Sequence, residues 1–178
     1  CDMCFMTKCP YVPPHEFDVD FPHLMLRYRA MEFSQGKVGF AHRQITETDR
    51  NGKFASLVAS AINKFSQTHF KTFRYLLEYI LGVHRNAVLP LFVRNPLKII
   101  TGSGPIEAST RKVVLYSTCF IRYNNPEIGR LTEAVLNING VETEIVYPSC
   151  CGMPQLEQGD ISRVAENAKA VSLELIKW

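Results

Sequence analysis

The sequence contains no apolar run long enough to cross a bilayer, and nothing in it resembles the apolar core of a secretory signal. The net charge is only +3 in 178 residues, so the composition gives no indication of nucleic-acid binding. Six cysteines are too few for a disulfide-rich scaffold, and they cluster in three places. Since 46% of the residues are apolar, the chain can bury one substantial core or two small ones. We therefore expect a globular protein whose chemistry resides in the clustered cysteines.

Two common enzymatic signatures are absent as well. Gly102 and Gly104 are spaced like the start of a dinucleotide-binding loop, but Pro105 follows directly and the third glycine is missing. No Ser–His–Asp arrangement can be argued from the positions of these residue types. The sequence therefore predicts neither hydride transfer from a bound nucleotide nor serine-type hydrolysis.

A strand–helix–strand pattern extends from residue 113 to residue 147. Its first strand is the β-branched, apolar run 113–115, and Val141, Ile145, Val146 and Tyr147 indicate the second. Asn125 and Pro126 are typical of a helix N-cap and first turn, and Gly140 is placed for a left-handed C-terminal cap. The apolar positions of the intervening helix recur on one face: Ile128, Leu131, Val135 and Ile138. A βαβ unit of this length leaves its two strands parallel.

Three cysteines follow the carboxyl ends of these two strands. Cys119 comes after the first strand, and the adjacent Cys150 and Cys151 come after the second. Because the carboxyl ends of parallel strands share one edge of a sheet, we expect the three thiols to converge. Three interpretations remain open: a disulfide from Cys119 to one of the pair, thiols that only pack, or a metal or iron–sulfur site, since thiolates select soft metals.

The other cysteines form the motif Cys1-x2-Cys4-x4-Cys9-Pro10 at the start of the sequence. Bacterial ferredoxins ligate their clusters with closely spaced cysteines that end in Cys-Pro, and the last cysteine binds the second cluster. The final spacing here is one residue longer than usual. A zinc ribbon needs a second Cys-x2-Cys pair, and none follows. The motif therefore favours an iron–sulfur site over zinc.

Four more helices are predicted outside these motifs. Asp20 should cap a helix that continues to Met31, and Asp160 should cap a final helix. Between them, two amphipathic helices are indicated over 54–65 and 70–81, the second ending near Gly82. The polar, glycine-containing stretch 34–52 is interpreted as loop and linker. The final helix has an apolar stripe predicted to face inward: Ile161, Val164, Ala165, Ala168, Val171 and Leu175.

A basic face is expected beside the second amphipathic helix. Its residues are Lys71, Arg74, His84 and Arg85. Such a face could rest on an anionic membrane or a partner subunit, or it could be an ordinary solvated surface. The sequence favours the ordinary surface.

The motif Cys119-x30-Cys150-Cys151-Gly152-Met153-Pro154 closely resembles the first half of the cysteine-rich CCG domain. This domain occurs in heterodisulfide reductase subunits, in the C subunit of anaerobic glycerol-3-phosphate dehydrogenase, and in iron–sulfur subunits of glycolate and lactate oxidation. The segment from Cys119 to Gly129 resembles the glycerol-3-phosphate dehydrogenase branch most, as do the stretches that follow Cys4 and Asp20. In the family, a further Cys-x2-Cys lies roughly 35 residues after the vicinal cysteine pair. No cysteine follows Cys151 in this sequence. Together with a first residue other than Met, this leads us to expect part of a longer chain.

The resemblance implies an α+β protein in three parts. Residues 1–33 would be the C-terminal part of a two-cluster, 4Fe–4S ferredoxin-type domain. Residues 34–111 would be a helical linker, and 112–178 the first part of a CCG domain with a βαβ core and parallel strands.

The resemblance also implies the cofactors and their ligands. Two [4Fe–4S] clusters would use Cys1 and Cys4 on one and Cys9 on the other, with Pro10 beside them. A further iron–sulfur centre, or zinc, would be held by Cys119, Cys150 and Cys151, with Gly152 beside them. Neighbouring thiolates such as Cys150 and Cys151 can reach different irons of one multinuclear cluster more easily than they can chelate a single iron.

The function implied is that of an electron-transfer subunit in an oxidoreductase complex of anaerobic respiration. Electrons would pass from a flavin-containing dehydrogenase subunit, through the clusters, toward a quinone or disulfide acceptor. We expect a cytoplasmic protein, either free or peripheral at the inner face of the membrane beside a membrane-associated subunit. Two alternatives remain: a heterodisulfide-reductase-like subunit that itself reduces a disulfide at the CCG centre, and a non-redox, zinc-binding scaffold.

Overall fold

The computed structural model describes residues 6–99 and 111–178, so Cys1, Cys4 and the Gly102–Gly104 stretch lie outside the described residues. Within the described residues, these helices precede the sheet: Phe21–Ser34 (α1), Phe40–Thr46 (α2), Thr48–Leu57 (α3), Ala59–Phe65 (α4) and Lys71–Leu81 (α5). The remaining described elements are strands Lys112–Tyr116 (β1) and Glu142–Val146 (β2), and helices Cys119–Tyr123 (α6), Pro126–Ile138 (α7), Met153–Gln158 (α8) and Ile161–Leu175 (α9). The described part is mixed helical with a small parallel sheet, which is compatible with the predicted α+β class.

The predicted βαβ unit is confirmed. Strands β1 and β2 pair in parallel, with Lys112 opposite Glu142 and Tyr116 opposite Val146. Asn125 occupies the N-cap of α7, Pro126 is its first residue, and Gly140 follows the helix with a φ of 73°. β2 is the more buried strand, because Ile145 and Val146 are 7% and 0% exposed. The core of this region therefore lies along β2 and the residues that follow it.

The interpretation of 34–52 as loop and linker is wrong for its second half. Helix α2 begins at Phe40, and α3 begins at Thr48 with Asp49 in its first turn, where a carboxylate interacts favourably with the helix dipole. Gly52 lies inside α3 instead of breaking it. A Cβ on Gly52 would be 2.4 Å from Cδ2 of Tyr123, so the glycine is required by close packing between α3 and α6.

The amphipathic helix predicted over 54–65 is divided at Val58 into α3 and α4. Its large apolar residues do not form the buried face, since Phe54 is 71% and Leu57 is 80% exposed. The buried residues are small instead: Gly52, Ala55, Ser56 and Ala59. Small side chains allow α3 to approach α6 closely, and this tertiary requirement overrides the apolar periodicity.

We predict that Gly52→Ala destabilises the protein. Alanine in an exposed helix interior would be favourable by about 1 kcal/mol relative to glycine. Here the methyl group would overlap the Tyr123 ring, so we expect a net loss of about 1–3 kcal/mol in the free energy of unfolding. Urea unfolding measures this loss, and Lys53→Ala at the adjacent exposed position should leave stability nearly unchanged. A stabilised Gly52→Ala variant would show that α3 does not lie against α6.

The predicted basic face is corrected by the burial of Arg74. This side chain is 1% exposed, and its guanidinium donates hydrogen bonds to the carbonyl oxygens of His84, Arg85 and Ala87 at 2.6–2.9 Å. Arg85 forms an ion pair with Glu78 at 3.0 Å. Arg74 therefore stabilises the conformation of the chain that follows α5. The predicted end of α5 near Gly82 is confirmed, since Gly82 has a left-handed φ of 69°.

The N-terminal helix packs onto the region that follows the sheet. Asp20 caps α1 by accepting a hydrogen bond from the His23 backbone, as predicted. A Cβ on Gly159, between α8 and α9, would be 2.4 Å from the Arg29 carbonyl oxygen, so α1 makes backbone-level contact there. The boundaries between the three predicted domains are not tested by these contacts and stay predictions.

The C-terminal helix α9 is capped by Asp160, as predicted, but its inward stripe is only partly buried. Val164, Val171 and Leu175 are half-buried, whereas Ala165 and Ala168 are exposed. The turn predicted at Met153 and Pro154 is the start of the short helix α8. Among the described residues, every helix is too short or too polar to traverse a lipid bilayer.

Candidate metal centre

The structure brings two of the predicted site residues together at the carboxyl edge of the sheet. Cys119 follows β1 as the first residue of α6, and Thr118 caps that helix. Cys150 follows β2 and is buried, with 3% exposure. The two sulfur atoms are 3.9 Å apart. The convergence predicted from the βαβ pattern is therefore seen for this pair.

The sulfur–sulfur distance fits two ligands of one metal ion. A disulfide would require about 2.0 Å, and all described cysteines are free thiols. Metal–sulfur bonds of about 2.3 Å in tetrahedral geometry would place two sulfurs about 3.8 Å apart. Two soft sulfur donors at this separation suit zinc or the iron of an iron–sulfur cluster equally well.

The next two predicted site residues, Cys151 and Gly152, directly follow Cys150 in the chain. Cys151 is exposed. Burial, followed by the charges of Cys151 and Cys150, raises the pKa of the Tyr116 hydroxyl. Gly152 has a φ of 91°, and a Cβ on it would be 3.3 Å from the Val164 backbone. Glycine is needed there because the chain must turn sharply from the cysteine pair into α8.

The two sulfurs are hydrogen-bonded to each other at 3.9 Å. The pKa of Cys150 is lowered to about 6, first by this hydrogen bond with Cys119, with further lowering by Thr48 and the Gly152 backbone N–H. The pKa of Cys119 is raised, first by the same hydrogen bond and then by burial. One thiolate is therefore present near neutral pH, as a metal-binding pair requires.

Sequence reasoning missed a carboxylate that holds the Cys150 backbone. Asp49, in the first turn of α3, accepts hydrogen bonds from the Cys150 backbone N–H at 2.8 Å and from the Tyr147 hydroxyl. Tyr147 is 4% exposed, and burial followed by its bond to Asp49 raises its pKa. The Tyr116 hydroxyl donates to the Ser149 carbonyl at 2.6 Å. The backbone around Cys150 is thus fixed on both sides by side chains.

The sequence signal for Asp49 is weak. The run Glu47, Thr48 and Asp49 is typical of a helix start, but this pattern says nothing about what the helix contacts. Asp49 and Cys150 are separated by 101 positions in the sequence. No spacing rule therefore connects the carboxylate with the cysteine.

The ferredoxin-type ligands stay predictions. Cys9 is half-buried and free, and Pro10 follows it in a series of turns. Cys1 and Cys4 lie outside the described residues. Within residues 6–99 and 111–178, no group of three or more His, Cys, Asp or Glu side chains is arranged to hold a metal ion. The described residues therefore supply two converging sulfurs, and any other ligands must come from elsewhere or from a shift of Cys151.

Comparison with known proteins finds one matching family model and several relatives that align with most of this chain. The family model CCG, described as a cysteine-rich domain, matches residues 113–177. The C subunit of the anaerobic glycerol-3-phosphate dehydrogenase from Escherichia coli K12 is 24% identical over 154 residues, which is 85% of this chain and 38% of that protein. An uncharacterized iron-sulfur protein of Methanococcus maripaludis is 26% identical over 131 residues, 69% of this chain and 26% of that protein. The chain thus spans well under half the length of these relatives. No solved structure matches.

Proposed function

We propose that this chain, whose residues 113–177 match the cysteine-rich CCG domain, is an iron–sulfur subunit that transfers electrons within an oxidoreductase complex. The observation that carries the proposal is the 3.9 Å approach of Cys119 and Cys150 inside the matched region. The relatives support it, since one is named as an iron-sulfur protein and another as a dehydrogenase subunit.

In this proposal, Cys119, Cys150 and Cys151 provide ligands for one iron–sulfur centre, with Gly152 shaping the turn beside them. Cys1, Cys4 and Cys9 provide ligands for [4Fe–4S] clusters at the other end of the chain. The clusters accept and release single electrons. The protein fixes the ligands, limits solvent access to the buried Cys150 sulfur, and sets the local charge.

The proposed electron donor is a flavin-containing dehydrogenase subunit, by analogy with the glycerol-3-phosphate dehydrogenase whose C subunit this chain resembles. The proposed acceptor is a quinone or a disulfide. A place at the inner face of the cell membrane, beside a membrane-associated subunit, would bring the chain close to a quinone.

The proposal is tested on the complete protein, purified without air. We expect iron and acid-labile sulfide in comparable amounts, broad visible absorbance, and bleaching of that absorbance when the flavin dehydrogenase partner is supplied with its substrate. A colourless protein that contains neither iron nor sulfide would refute the proposal.

A second candidate is a zinc-binding scaffold without redox activity, because the sulfur separation suits tetrahedral zinc as well as iron. Zinc at one equivalent in the anaerobically purified protein, with no bleaching by reductant, would favour this candidate.

A further inference from the structure

The first turn of α3 reaches the cysteine pair from a part of the chain that lies outside the CCG match. We propose that Thr48 is a positioning residue of the metal centre, and that its hydroxyl donates its one hydrogen bond to a metal-bound sulfur of the pair formed by Cys119 and Cys150. This inference rests on metal binding by the pair, which is part of the proposed function.

The contacts of α3 with α6 and Cys150 bring its first residue, Thr48, to the end of the helix that is near the cysteine pair. Gly52 of α3 lies against Tyr123 of α6, so closely that a Cβ would be 2.4 Å from the ring. Residues four apart share one face of a helix. Thr48 is four residues before Gly52, and Cys119 is four residues before Tyr123. Asp49, at the start of α3, binds the backbone of Cys150, whose sulfur is 3.9 Å from that of Cys119 at the start of α6. The two helices therefore run in the same direction, and Thr48 lies at the end of α3 that is near Cys119.

The neighbouring residue fixes this alignment. Asp49 accepts the Cys150 backbone N–H at 2.8 Å, so the start of α3 is tied directly to the second cysteine. The same carboxylate accepts the Tyr147 hydroxyl. Because Thr48 and Asp49 are consecutive in one helical turn, Thr48 has little freedom to move away from the pair.

The Thr48 hydroxyl needs an acceptor. Its oxygen is buried, and it has no hydrogen-bond partner of ordinary geometry among the described residues. A buried hydroxyl without a partner is unfavourable by about 1–3 kcal/mol. A metal-bound thiolate keeps lone pairs that can accept this hydrogen.

Two consequences follow for a bound metal. A donor to a ligating sulfur orients that sulfur, and removing such outer partners weakens metal binding roughly 10- to 100-fold. The same donor withdraws electron density from the sulfur and stabilises the reduced state of an iron–sulfur centre, so its loss should lower the reduction potential.

The first experiment measures Co²⁺ binding to the complete, metal-stripped protein in competition with a chelator. Thr48→Ala should weaken Co²⁺ binding roughly 10- to 100-fold, whereas Thr48→Ser, which keeps the hydroxyl, should bind within about threefold of the parent. Thr46→Ala is the matched control, because the Thr46 hydroxyl donates to the Arg43 carbonyl at 2.9 Å. It should bind Co²⁺ like the parent.

The inference is overturned if Thr48→Ala binds as tightly as the parent, or if Thr46→Ala weakens binding equally. Should Thr48→Ala unfold the protein, Thr48→Val, of the same shape without the hydroxyl, takes its place with the same expectations. Where the protein holds iron, the reduction potential of the CCG centre gives a second readout. We expect a shift to lower potential in Thr48→Ala and a return in Thr48→Ser, and an unchanged or higher potential overturns the inference.

The two proposals fail separately. A protein without iron or sulfide whose Co²⁺ affinity still depends on the Thr48 hydroxyl would refute the electron-transfer function and support the positioning role. If the parent contains iron and sulfide and its Thr48 variants match it in Co²⁺ affinity and reduction potential, the electron-transfer function is supported and the positioning role of Thr48 is refuted.

Discussion

Cys150→Ser is expected to remove the proposed metal centre of residues 113–177 while leaving the fold intact. Serine has nearly the same shape as cysteine, so the buried position after β2 should still be filled. Its hydroxyl is a poor ligand for soft metals, and the remaining Cys119 sulfur would lose its partner at 3.9 Å. Iron and sulfide per chain, measured after anaerobic purification, should fall by the content of one centre.

The matched control is Ser149→Ala, one residue earlier. The Ser149 hydroxyl makes only a long contact, 3.4 Å, to the Cys150 carbonyl, so this variant should keep its full iron content. Cys9→Ser is informative in the opposite sense, because it should affect the ferredoxin-type clusters and spare the CCG centre. If Cys150→Ser retained all of its iron and its spectrum, Cys150 would not be a ligand.

Asp49→Ala should give the largest loss of stability among single changes near the site. It removes the acceptor of two hydrogen bonds and leaves the buried Tyr147 hydroxyl and the Cys150 backbone N–H without a partner. Each unsatisfied donor is unfavourable by about 1–3 kcal/mol, so we expect a decrease of about 2–5 kcal/mol in the free energy of unfolding. Urea unfolding of the metal-stripped protein measures this decrease independently of any cluster.

Two further variants isolate the cause. Glu47→Ala removes another acid at the same helix start, whose ion pair with Arg163 spans 3.6 Å near the surface, and should lose less than about 1 kcal/mol. Tyr147→Phe combined with Asp49→Ala should be less destabilising than the sum of the two single changes, because both remove the same bond. Simple additivity, or equal losses in the Asp49 and Glu47 variants, would contradict the role assigned to Asp49.

The parts of the structure that sequence reasoning predicts correctly are those governed by local rules. Asp20 and Asp160 act as helix caps, and Gly82 and Gly140 adopt the left-handed conformations expected at helix ends. The two strands and the helix between them follow from apolar periodicity and the right-handed crossover rule. Within this local frame, the approach of Cys119 and Cys150 can also be anticipated.

The errors arise where distant segments decide the outcome. Gly52 indicates a loop when only its neighbours in sequence are considered, yet it lies within a helix. The Tyr123 ring lies so close that no side chain fits at this position. The periodicity of Phe54 and Leu57 predicts that they face inward, but the small residues of α3 are buried instead. The position of Arg74 in the sequence predicts that it lies on a basic surface. Its side chain is buried instead, and it donates hydrogen bonds to three backbone carbonyl groups that follow α5.

By itself, the sequence determined the cysteines, their spacing and the parallel strands that bring two of them to one edge, because these depend on short-range patterns and on a general rule of chain handedness. Only the tertiary structure decided that α3 lies against α6 and that Asp49 binds the backbone of Cys150. The physical reason is that a hydrogen bond between residues 49 and 150 depends on how distant segments pack together, and a short-range sequence pattern does not say which segment a helix packs against.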